Sequence, residues 1–85
     1  MKIIFSKHAK EDKFPMLAKH GFSLAEEQVI EVVESPDHED KESDHPKIIA
    51  SKSLDDKHVL RVVYKLENGT IKIITFYPAE KGRYY

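Results

Sequence analysis

"HVLRVVYKLENGTIKIITFYP", residues 58–78, decides the fold. Two runs rich in β-branched and aromatic residues flank Glu67-Asn68-Gly69. Asn-Gly between such runs is a strong hairpin signal, because both central residues of the tight turn need left-handed backbone angles that asparagine and glycine tolerate. Side chains alternate faces along a strand. Leu60, Val62 and Tyr64 therefore share one side of the first run, and Val59, Arg61, Val63 and Lys65 the other. In the second run, strict alternation sets Ile71, Ile73, Thr75 and Tyr77 against Lys72, Ile74 and Phe76. Charged groups are seldom buried unpaired, which assigns Arg61 and Lys72 to the face away from the core. The side covered by Ile74 and Phe76 stays open.

Working outward, "KIIAS" at 47–51 reads as a preceding strand, with a turn over 53–57. "DHEDKESDH", 37–45, holds no apolar residue and reads as a solvated loop. Before it, Leu24, Ala25, Val29, Val32 and Val33 form one apolar helical stripe, with Glu27, Glu31 and Glu34 opposite. Ser23-Leu24-Ala25-Glu26 fits a capping box, and Pro36 ends the helix. Met1–Phe5 reads as a strand, and the Ser6 hydroxyl can cap a helical segment running from about Lys7 toward His20. Pro15 removes a backbone donor and biases Phe14 away from helical angles, so a kink or break is expected there. Phe14, Met16 and Leu17 are expected to face the core, and Gly21 is a natural stop. The expected fold is α+β, a single domain over 1–85 in the order β-α-α-β-β-β. An antiparallel sheet carries two helices packed on one face and leaves the other face free to bind.

Composition narrows the function classes. With 40% hydrophobic and 34% charged residues the chain is globular rather than disordered. It has no cysteine, hence no disulfide, thiolate site or cysteine nucleophile. Ile3-Ile4-Phe5 is too short for a signal peptide or a membrane span, so a soluble cytoplasmic protein with no membrane contact is expected. The net charge of −1 hides an asymmetry: +3 over 1–22, −8 over 23–46 and +4 over 47–85. Two basic blocks split by an acidic one can still offer phosphates a cationic patch. Neither a glycine-rich phosphate loop nor a nucleophile elbow occurs. His38, Asp40, Asp44 and His45 are the one set suited by type to a divalent ion, but their spacing matches no metal pattern, and no cofactor is expected.

The element order, together with "FSKHAK", "KHGFSLAEEQVIEVVESPD" and "LRVVYKLENGTIKIITFYPAEKGRY", resembles the RelE/ParE superfamily of toxins. More closely it resembles an uncharacterised RelE-like family, and the "KHGFS" stretch is similar to BrnT-type toxins. That resemblance implies the toxin component of a type II toxin–antitoxin system, an endoribonuclease held inactive by a small antitoxin. The implied reaction, metal-independent, is attack of an RNA 2′-hydroxyl on the adjacent phosphate. It needs a base, a cation for the phosphorane and a donor for the leaving oxygen.

Within that resemblance, Arg61 and Arg83 suit the phosphate, Tyr84 suits proton donation or base stacking, and either His8 or His20 suits the base or acid. Lys7, Lys72, Lys81 and Tyr85 are the RNA-binding candidates on an mRNA, free or ribosome-bound. Each has a structural rival: Arg61 as a cross-sheet ion pair, His8 as a helix-start residue, His20 as a cap for the last helical carbonyls. The competing function is a non-catalytic module of the same fold that binds a protein or nucleic acid. The acidic middle of the chain favours it.

Overall fold

The computed structural model describes residues 2–82. Five strands form a single mixed sheet: β1 (Lys2–Phe5), β2 (His38–Asp40), β3 (Ile48–Ser53), β4 (His58–Glu67) and β5 (Thr70–Glu80), in the order β1-β5-β4-β3-β2. The hairpin closes as expected, with Asn68 and Gly69 both at positive φ, 50° and 76°. The all-antiparallel, four-stranded expectation fails at both edges. β1 pairs with β5 in parallel, Lys2 opposite Thr70 and Phe5 opposite Ile73. Within the stretch expected as pure loop, His38–Asp40 pairs antiparallel with β3. An edge strand needs only backbone partners, so a polar tripeptide can form one.

Between β1 and β2 lie two helices. The first opens as a π-helical turn, His8–Lys13, and continues as α1, Phe14–Lys19. Pro15 explains the change of winding: it cannot donate to the carbonyl of Glu11, and its ring clashes with that group, so the turn upstream widens. Ser6 caps this segment, its Oγ accepting from the Ala9 N–H at 3.1 Å. His20 ends α1, and Gly21 follows at φ 89°. Leu17 is buried, whereas Met16 is 43% exposed and does not face the core.

α2 (Glu26–Glu34) buries Val29, Val32 and Val33 as the stripe requires. Its start is shifted from the expected Ser23 cap. Ala25 is the capping residue, and Gln28 Oε1 accepts from the Ala25 N–H at 2.8 Å. Alanine offers no acceptor in return, so only the back-bonding half of a capping box exists. Among the described residues no helix is long and apolar enough to cross a membrane.

Both helices cover one face. Ala9, Leu17, Val29, Val32 and Val33 pack on Ala50, Leu60, Val62, Tyr64, Ile73 and Phe76, with Phe14 4.7 Å from Phe76 between ring centroids. Each fully buried aliphatic or aromatic side chain contributes about 1.5–3 kcal/mol.

The last strand departs from strict alternation. Val63 pairs with Thr75 but Tyr64 pairs with Ile73, which leaves Ile74 as an extra residue, a β-bulge. Beyond it the faces exchange. Ile71, Ile73 and Phe76 lie on the helix side, and Lys72, Thr75 and Tyr77 on the other. Two hydrogen bonds pin the bulge to the end of β1: Ser6 N–H to Ile73 O at 2.8 Å, and Ser6 Oγ to Ile74 O at 2.9 Å.

Candidate functional site

The register lays the helix-free face out in cross-strand rows. His38, Ser51, Arg61 and Tyr77 form one row across β2, β3, β4 and β5. Asp40, Ile49, Val63 and Thr75 form the next. Toward the hairpin a third row joins Lys65, Lys72 and Ile4, with Lys2 beside it opposite Thr70. Chemistry-bearing side chains from five strands thus share one surface.

Arg61 lies on this face as alternation requires, yet it is only 8% exposed. Its Nε donates to the Tyr77 hydroxyl at 3.1 Å, and its guanidinium carbon lies 5.8 Å from the centre of the Tyr77 ring. A buried guanidinium needs such partners, because desolvating an uncompensated cation is costly. Val59, Val63 and Ser51 on the same face are also buried. This side of β4 is therefore free of helices without being bare.

His8 reaches the face from the edge. β1 stops at Phe5, so the upper half of β5 has no strand on the side away from β4, and the π-helical turn lies there. There His8 Nε2 lies 3.5 Å from Thr75 Oγ1, and Nδ1 lies 3.3 Å from Asp12 Oδ2. Carboxylate, imidazole and hydroxyl stand in series, an arrangement in which the acid fixes the ring's orientation and tautomer. Thr75 is two residues from Tyr77 on one face, so β5 draws His8 and Arg61 into adjoining rows.

At the hairpin end, Lys65 bonds Glu67 at 2.8 Å. Hydrogen bonding by Lys65, aided by its charge and that of Lys72, holds the Glu67 carboxyl below its ordinary range. Lys2, Lys65 and Lys72 outnumber that one acid, leaving a cationic end to the face.

Across β2 and β3 a hollow of about 220 Å³ is lined by His38, Asp40, Ser43, Ile49, Ser51 and Arg61. The Asp40 carboxyl is pulled from its ordinary 3.8 to about 2, first by the Ser43 side chain and then by the backbone N–H groups of Ser43 and Glu42. Both N–H groups donate to Oδ1 at 3.0 Å. Ser51 is 1% exposed, and its hydroxyl has no hydrogen-bond partner among the described residues.

Of the residues chosen from sequence, Arg61, His8 and Lys72 come to this face. Lys7 is exposed beside the π-helical turn, and Lys81 lies past the far end of β5 from Lys72, its N–H bonded to Lys57 O at 2.9 Å. Arg83, Tyr84 and Tyr85 lie outside the described residues. Among the described residues no three His, Cys, Asp or Glu side chains gather as a metal set. Sequence reasoning missed Tyr77, which it grouped with Ile71 and Ile73, and it missed Thr75 and Ser51 as site residues, while it weighed Asp40 only as a metal ligand. The bulge that turns Tyr77 and Thr75 outward has no composition signature. The alternation of β3 could have flagged Ser51, since it faces Arg61 across the ladder. Searches of protein-family models, curated proteins and solved structures find no match to the chain.

Proposed function

We propose that the chain is a RelE-like endoribonuclease, the toxin of a type II pair, which cleaves RNA on the helix-free face. What supports the reading is the junction at β5, where Thr75 holds His8 and Tyr77 holds Arg61 two residues apart. In this mechanism His8 Nε2 takes the proton of a 2′-hydroxyl while Asp12 steadies Nδ1. The 2′-oxygen bonds to phosphorus, the bond to the 5′-oxygen breaks, and a 2′,3′-cyclic phosphate and a 5′-hydroxyl result. Arg61 occupies the Tyr77 oxygen as acceptor, so the phenolic proton is directed outward to the phosphorane or the leaving oxygen. Lys2, Lys65 and Lys72 track the flanking phosphates. A small antitoxin acts by covering that cationic end.

The burial of Arg61 favours a second reading, a non-cleaving module of this fold that binds RNA or a protein on the same surface. The test is incubation of the pure protein, in excess chelator, with an RNA and with its all-2′-deoxy copy. Cleavage of the RNA alone to cyclic-phosphate ends, lost in His8→Ala, supports the enzyme. RNA binding without cleavage supports an RNA-binding module, and neither binding nor cleavage removes the enzyme and leaves only a protein-binding module. Induction in cells adds a further readout: growth arrest in the wild type and none in His8→Ala.

A further inference from the structure

We infer that the tip of the β4–β5 hairpin is a site of self-modification, where the backbone nitrogen of Gly69 displaces the side-chain amide of Asn68 as ammonia. The chain holds a single asparagine, and the turn leaves both reacting groups accessible. Glu67 and Thr70 are the last pair of the ladder, so the Gly69 N–H lies inside the turn with no cross-strand carbonyl to bond. Among the described residues no hydrogen bond engages that N–H or the Asn68 side chain. Both residues are exposed, and a Cβ at Gly69 would meet nothing within 4 Å, so the nitrogen is unhindered. The other side-chain amide of the chain, on Gln28, is held by the Ala25 N–H.

The Gly69 nitrogen gives its proton to hydroxide and bonds to the Asn68 side-chain carbonyl carbon. The bond from that carbon to the amide nitrogen breaks, and the leaving nitrogen takes a proton from water and departs as ammonia. Water then opens the resulting succinimide at one of its two carbonyls. Attack at the side-chain carbonyl gives aspartate, and attack at the main-chain carbonyl gives isoaspartate, whose peptide link runs through the β-carbon. Aspartate tolerates the left-handed angle at this position, φ 50°, so it keeps the turn and adds one negative charge to a chain of net −1. That charge falls at the cationic end of the face, where Thr70 sits opposite Lys2 and Lys65 faces Lys72. Isoaspartate adds a carbon to the main chain of a two-residue turn that sets the β4–β5 register, and so loosens the hairpin. Resting on the RNA reading, either product weakens the hold on phosphates as the protein ages.

The test is ageing of the folded full chain in mildly alkaline buffer, followed by intact mass, peptide mapping with isoaspartate detection, and titration with a single-stranded RNA of mixed sequence. The chain should gain about 1 Da, all of it in the peptide holding residue 68, with both products present and a slower gain in mildly acidic buffer. Asn68→Gly keeps a residue that accepts positive φ, and it should hold its mass throughout. No gain at Asn68, or a gain that persists in Asn68→Gly, overturns the site. Aged protein and Asn68→Asp should both bind the RNA more weakly than fresh protein, the variant with a salt slope smaller by about 1. Equal binding by fresh and aged protein overturns the consequence for RNA. The mass gain is independent of that arm: an RNA that binds neither form removes the RNA reading and keeps the modification.

Discussion

The hydroxyl of Ser6 and the carbonyl of Ile74, 68 residues apart in the chain, are joined by a 2.9 Å hydrogen bond. Ile74 is the unpaired residue of the β5 bulge, so its carbonyl needs a partner that the ladder does not give. Ser6 supplies that partner, and through the same oxygen it caps the segment carrying His8. One side chain thus sets both the outward turn of Tyr77 and the placement of the imidazole beside Thr75.

Ser6→Ala should therefore cost about 1–2 kcal/mol, combining a lost cap with an orphaned carbonyl. Urea unfolding measures the loss. Amide shifts at Ile74 and Thr75 should accompany it, and a variant with unchanged stability would show that the bond is not formed in solution.

Tyr77→Phe should couple to changes at Arg61. A double-mutant cycle with Arg61→Met should return an interaction of about 1.5–3 kcal/mol, the range for hydrogen bonds to charged groups. Additive costs would place the two side chains apart.

The exchange of faces at the bulge makes Phe76 a core residue. Phe76→Ala should cost about 3–5 kcal/mol, and the same change at Lys72, on the other side, should stay within about 0.5 kcal/mol. Thermal melts of the two variants decide the matter. Similar losses would mean that β5 alternates without interruption.

Asp40 gives a pH dependence with a definite sign. Its folded carboxyl titrates at about 2, below its ordinary 3.8, so the folded state holds fewer protons there than the unfolded chain. The stabilisation is complete above about pH 4 and is lost as pH falls through 2. Asp40→Asn should flatten that part of the stability profile, and acid titration of the two proteins provides the comparison.

Much of the fold was legible because its signals were local. Asn68-Gly69 marked the hairpin, and Val29, Val32 and Val33 marked the buried side of α2. Pro36 marked its end, and Ser6 capped what followed it. What escaped depended on partners distant in sequence. His38–Asp40 is an exposed edge strand, with no burial pattern to betray it. The parallel direction of β1 is set by where the last strand lies, and the bulge by a hydroxyl at the other end of the chain. The site followed the same division: Arg61 could be placed by alternation, whereas Tyr77 and Thr75 needed the register around the bulge.

Pairing β1 with β5 has a consequence for how the protein comes into being. During synthesis β1 has no mate until β5 has emerged, after β2, β3 and β4. A nascent chain can assemble α2, β3 and β4 early, but the imidazole-bearing segment must wait with its edge unpaired. Maturation of this surface is thus a closing event, governed by a long-range contact of the slow kind.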